Sequence, residues 1–175
     1  SLFQDTWHIL PPGAEASADY TSAVERLTAF WIRLGAKVET MDANRHDRVL
    51  AITSHLPHLI AYNIVSTAYD MESVEKGEVV KYSAGGFRDF TRIAASDPTM
   101  WRDVFLTNKE AVLETLGRFS EDLAALQRAI RWGDGDMLMK EFSRARGIRK
   151  AIIDAGLDTA EADFGRRQLE SDQDE

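Results

Sequence analysis

The chain has 175 residues, 44% of them hydrophobic and 29% charged, with a net charge of −8. That suits one domain, or one domain with part of another, around a real core. A negative balance without a basic stripe excludes a phosphate-reading nucleic-acid surface, and the lack of cysteine excludes disulfides and thiolate metal sites. No apolar run approaches the roughly 20 residues of a membrane helix: the longest candidate, Leu56 to Val65, is interrupted by Pro57, His58 and Asn63. No signal peptide is visible, and the expectation is a cytoplasmic protein with neither a membrane nor a nucleic-acid partner.

In chain order, Trp7-His8-Ile9-Leu10 is a short strand candidate stopped by Pro11-Pro12-Gly13. Tyr20 to Leu34 carries Val24, Leu27, Phe30, Trp31 and Leu34 at helical spacing. Gly35 sits where a helix is closed by a left-handed residue, and Lys37 to Met41 alternates like a strand. A strand-helix-strand unit of this kind suits the last crossover of a parallel sheet; a small α/β hairpin packed on helices is the plainer alternative.

From Asp42, a plausible N-cap, a long helix is expected to about Asp70, with Pro57 kinking it and freeing the carbonyl of Thr53. Glu78 to Ala84 reads as a loop, and Gly85-Gly86 as a break before a helix from about Phe87 to Ala95. Asp97-Pro98 restarts the chain as N-cap and first helical residue. The helix that follows carries Phe105, Val112, Leu116, Phe119, Leu123, Leu126 and Ile130, a 3-4 alternation that marks a seam against long neighbours in its own chain or in a partner. Gly133-Asp134-Gly135 ends it, and Asp136 is expected to cap a last helix to about Ala155, with Leu138, Phe142, Ala145, Ile148 and Ile152 on one face. After Gly156 the apolar period is lost, and the acidic tail is expected to be disordered.

Two stretches carry candidate chemistry. In Asn44-Arg45-His46-Asp47-Arg48, continuing to Ser54-His55-Leu56-Pro57-His58, an ideal helix places Asp47, His55 and His58 within about 80° of one another. They could form a site, or be satisfied interfacial histidines beside a bend. Metal ligation is disfavoured, because the Glu-x-x-His pairs of di-metal bundles are missing. The second stretch runs from Gly85-Gly86-Phe87-Arg88-Asp89-Phe90-Thr91-Arg92-Ile93-Ala94 to Ser96-Asp97-Pro98-Thr99-Met100-Trp101. Arg88 and Arg92 are i,i+4 neighbours, and Asp89 stands three residues before Arg92, able to steady its guanidinium for a carboxylate. Gly85 and Gly86 would let backbone approach a ligand. A surface ion-pair network is the alternative.

Together, R-H-D-R-V-L-A-x-x-S-H-L-P-H-L-x-A and G-G-F-R-D-F-T-R-I-A-x-S-D-P-x-M-W-R-D resemble the prephenate and arogenate (cyclohexadienyl) dehydrogenases, in the right order and about 30 residues apart. The likeness runs from Leu2-Phe3 to about Ala155. It implies a mainly α fold: a multi-helix dimerisation and substrate domain at 42–156, a β-α-β remnant of a nucleotide-binding Rossmann domain at 1–41, and an acidic tail at 157–175. It implies an oxidoreductase of tyrosine biosynthesis that oxidatively decarboxylates prephenate or arogenate with NAD or NADP, working as a homodimer.

Position by position, the resemblance makes Arg92 the substrate-carboxylate arginine and Asp89 the residue that steadies it. It makes His55 and His58 pocket-lining histidines, Trp101 a residue of the pocket rim, and Asp47 a carboxylate near the interdomain cleft; Gly85 and Gly86 join them as substrate-binding candidates. Two family features are missing from the sequence: the G-x-G-x-x-G fingerprint and the His-Pro segment whose histidine engages the substrate hydroxyl. No catalytic or cofactor-binding residue is therefore expected in these 175 residues, nor dinucleotide binding or turnover by them alone. A stand-alone helical homodimer that binds a small carboxylate as a sensor or assembly module is the competing reading.

Overall fold

The computed structural model describes residues 3–4, 6–11, 17–75 and 85–156. The expected loop at Glu78 to Ala84 and the acidic tail lie outside the described residues. Two compact units divide the chain, Ser1–Gly117 and Arg118–Glu175.

The first unit opens with strand β1 (Trp7–Leu10), helix α1 (Ala18–Arg33) and strand β2 (Lys37–Thr40). The strands pair in parallel, Trp7 opposite Lys37 and Leu10 opposite Thr40, with α1 as the crossover that a parallel pair requires. Ser17 caps α1, its side chain accepting from Tyr20 N. Gly35 closes the helix at φ 90°, and a Cβ there would collide with the Gln4 side chain. His8 stacks on Trp31, 3.9 Å between ring centroids.

Asp42 caps the next helix as expected, accepting from Arg45 N at 3.1 Å. The long helix is not uniform, however. It runs as α2 (Ala43–Leu50), a π-helical turn (Ala51–His55) and α3 (Leu56–Glu75), with Leu56 N bonded to Ala51 O. Proline explains the wide turn: Pro57 has no N–H, and its ring crowds the carbonyl four residues back. Widening the helix just before it relieves both defects. Among the described residues, Ala51, His55, Leu56 and Ala61 are the buried positions of this rod. By length and composition alone, Ala43–Met71 would qualify as a membrane span, with a mean hydropathy of 1.2 over its best window. That corrects the expectation that no segment comes near this length.

Helix α4 (Gly85–Thr91) begins at the glycine pair instead of after it, and passes into a 3-10 turn (Arg92–Ala95). Asp97 then caps α5 (Pro98–Thr107), accepting from Met100 N at 2.8 Å, with Pro98 in the first turn. The single helix expected from Asp97 to Ile130 is in two pieces. Asn108, at φ −100° and ψ 36°, separates α5 from α6 (Lys109–Trp132).

The second unit holds the C-terminal part of α6 and helix α7 (Gly135–Asp154). Gly133 turns the chain at φ 70°. Asp134, not Asp136, is the cap of α7: its side chain accepts from Met137 N at 3.0 Å, and Asp136 falls inside the first helical turn. Among the described residues no large side chain is fully buried, whereas Leu123, Ile130, Phe142 and Ile148 are exposed.

Candidate functional site

Three of the candidate residues meet in one aromatic cluster of the first unit. His58, in the first turn of α3, lies flat on the Trp101 indole from α5, ring centroids 3.7 Å apart and planes 22° from parallel. His55, the last residue of the π turn, meets the same indole edge-on at 6.1 Å, and Phe105 packs beside it at 5.6 Å. Trp101 is 7% exposed, yet its Nε1–H has no hydrogen-bond partner. An orphaned indole donor is expensive inside a protein, and it is the one buried side-chain polar atom left unpaired among the described residues.

The histidines are held by bonds on their Nδ1 atoms. His58 Nδ1 donates to the Ser54 carbonyl at 2.8 Å. His55 Nδ1 receives a bond from Asn108 Nδ2 at 3.1 Å, and the same amide nitrogen donates to the Asp47 carbonyl at 2.8 Å. Burial pushes the His55 pKa below 6.5; the Asp47 charge opposes that shift, and His46 and His58 add to it. The Asp47 carboxylate itself lies 3.0 Å from His46 Nδ1. Tyr62 ties α3 to the α4–α5 link, donating its hydroxyl to the Ser96 carbonyl at 2.7 Å.

None of the other candidates takes part in these ring contacts. Gly85, Gly86, Arg88, Asp89 and Arg92 are all exposed on α4 and the 3-10 turn. Asp89 and Arg92 are both described residues, and no hydrogen bond or ion pair joins them in this arrangement. A Cβ at Gly85 or Gly86 would meet no protein atom within 4 Å. No group of three or more histidine and carboxylate side chains is placed to hold a metal among the described residues.

Asn108 and Tyr62 were not singled out from the sequence. Asn108 had a signal: the sustained 3-4 alternation starts only at Val112, and asparagine is a poor helix-interior residue. Tyr62 had none, because a tyrosine at that helix position packs equally well without a bond.

Residues 42–144 match the family described as "Prephenate dehydrogenase, dimerization domain". The chain belongs to this prephenate dehydrogenase family. It is 41% identical over 151 residues to a cyclohexadienyl dehydrogenase of Zymomonas mobilis, covering 86% of this chain and 50% of the relative. It is 32% identical over 151 residues to a prephenate dehydrogenase of Bacillus subtilis, covering 86% of this chain and 40% of that one. Among solved structures it is similar to the prephenate dehydrogenase of A. aeolicus in complex with hydroxyphenyl propionate and NAD+, at a TM-score of 0.77 and 36% identity over 86% of this chain and 51% of that chain. The chain thus spans half or less of the length of these curated relatives. The His55–His58–Trp101 cluster and Asn108 all fall inside the matched residues of the prephenate dehydrogenase family.

Proposed function

We propose that this chain is the substrate-binding and dimerising part of a prephenate or arogenate dehydrogenase. In this reading residues 42–156 form the helical domain, and 1–41 are the last crossover of a nucleotide-binding sheet. The observation that carries it is the Trp101 cluster: a buried, unbonded indole N–H between two anchored imidazoles. A buried donor that is left unpaired suits a ligand that supplies the acceptor.

The reaction proposed for the whole protein moves hydride from the ring carbon bearing the hydroxyl to NAD or NADP and releases the ring carboxylate as carbon dioxide. The part proposed for this chain is binding and orientation. Arg92 offers a guanidinium fork to a substrate carboxylate. His55, His58 and Trp101 offer polar ring edges to oxygen atoms, and Asp89, Asp47, Gly85 and Gly86 border the site. The described residues do not fit a dinucleotide. Their positive-φ glycines, Gly35, Gly133 and Gly156, all close helices, whereas a pyrophosphate rests on a glycine turn that opens one.

We also propose a two-fold homodimer through the exposed apolar faces of α6 and α7. Titration of prephenate, arogenate and hydroxyphenyl propionate into the chain, followed by tryptophan fluorescence and calorimetry, tests the binding role. Saturable binding that Trp101→Phe weakens supports it. No binding of any of the three at millimolar concentration ends it.

A further inference from the structure

We infer that Asn108 is a positioning residue whose carboxamide fixes the ring proton of His55 on Nε2. Asn108 Nδ2 lies 2.8 Å from the Asp47 carbonyl oxygen. A carbonyl only accepts, so the carboxamide atom facing it has to be the nitrogen and not the oxygen. The same nitrogen lies 3.1 Å from His55 Nδ1. With two hydrogens, it gives one to each partner. His55 Nδ1 therefore presents its lone pair, and the neutral ring carries its proton on Nε2.

His58 is fixed the opposite way. Its Nδ1 lies 2.8 Å from the Ser54 carbonyl, which again can only accept, so the proton is on Nδ1 and the neutral ring keeps a lone pair on Nε2. Two imidazoles packed on one indole thus have opposite tautomers. With the Trp101 N–H, the cluster holds two donors, His55 Nε2–H and Trp101 Nε1–H, and one acceptor, His58 Nε2. Donors suit a carboxylate or carbonyl oxygen, and the acceptor suits a hydroxyl. That consequence for ligand choice rests on the proposed function; the tautomers do not.

The helix break at Asn108 is what makes the arrangement possible. Its side chain leaves the end of α5 to reach both the α2 backbone at Asp47 and the π turn at His55. The charged and titratable groups around His55 are Asp47 and His46 from α2 and His58 from α3, with Asn108 the polar group that meets its ring directly. An N–H aimed at Nδ1 opposes protonation there, in the same direction as burial and against the Asp47 charge. A residue that merely ended a helix would leave the ring proton free to choose.

The test is a long-range proton–nitrogen correlation spectrum of the chain, isotope-labelled at histidine, at about pH 8, where imidazole is neutral. The expected result is Nε2–H for His55 and Nδ1–H for His58. Asn108→Ala should turn His55 into a mixture of tautomers. Asn108→Asp, which puts a carboxylate where the donor was, should move the proton to Nδ1 and raise the pH midpoint of the ring. A wild-type His55 protonated on Nδ1 overturns the inference without any variant, as does an unchanged Nε2–H signal in Asn108→Ala with wild-type helicity. The spectrum needs no ligand, so a chain that failed to bind prephenate would overturn the proposed function and leave this assignment standing.

Discussion

His58 and Trp101 are stacked face to face, 3.7 Å between ring centroids, and join α3 to α5 within the first unit. Trp101 is among the few buried large side chains. Trp101→Ala removes the indole from a contact with three rings and should cost about 3–5 kcal/mol. Trp101→Phe keeps a ring against His58 and deletes an N–H that has no partner, so it should cost much less, about 1 kcal/mol or below. Urea unfolding of the two variants checks the order; equal losses would show that the unpaired donor carries no penalty.

Stability should fall on mild acidification through His55. Burial lowers its folded pKa below 6.5, so the unfolded chain binds the proton more readily. The contribution is fully present above the unfolded value and is lost as pH falls through the folded one. Unfolding free energies measured from neutral pH downward should decline more steeply for the wild type than for His55→Gln. Parallel curves for the two proteins would remove His55 as the cause.

Much of this was legible from residue spacing, and the failures share one origin. Strands, caps at Asp42 and Asp97 and the crossover helix depend on neighbours within a few positions, and these appeared as read. The π turn, the break at Asn108 and the cap at Asp134 are each one of several outcomes that local spacing allows: Pro57 can kink a helix or widen it, Asn108 has its partners 53 and 61 residues away, and two aspartates compete for one cap. Asp134 and Asp136 both precede the apolar period and both could accept from an N–H three residues on; in the structure Asp134 does so. The cluster was half legible. Helical spacing puts His55 and His58 on one face, but spacing does not bring Trp101 to them, and the Asn108 bridge spans 53 residues to His55.

Asp134 gives a direct check on that choice. Asp134→Ala removes the bond to Met137 N and should destabilise α7 by about 0.5–2 kcal/mol. Asp136→Ala removes only a first-turn charge and should cost about 0.3–1 kcal/mol. Thermal unfolding of both variants at low salt gives the ranking, and the reverse order would restore Asp136 as the cap.

Arg92→Ala should weaken binding of a substrate carboxylate. A hydrogen bond to a charged group is worth roughly 1.5–3 kcal/mol, or on the order of 10- to 100-fold in affinity. Because Arg92 is exposed, the variant should unfold like the wild type. Calorimetric titration with prephenate measures the loss; unchanged affinity would move the carboxylate anchor elsewhere.

The apolar seam gives the last prediction. Leu116, Phe119 and Leu126 are half-buried, while Leu123 and Ile130, seven residues apart on the same helix, are 53% and 67% exposed. The seam read from the sequence therefore divides into a stripe covered within the chain and a stripe left bare. On α7, Phe142 at 57% and Ile148 at 53% are bare as well. Exposed apolar residues that recur along a helix suit an interface, and a two-fold dimer covers the same stripe on both copies with one contact. Ile130→Glu then places two carboxylates in the interface, one from each subunit. Burying unpaired charge is costly enough to dissociate a modest interface. Since Ile130 is exposed within the chain, helicity by circular dichroism should be unchanged. Light scattering should report a dimer for the wild type at about micromolar concentration and a monomer for the variant. A monomeric wild type, or a variant that stays dimeric, would place the bare stripe outside any contact between copies.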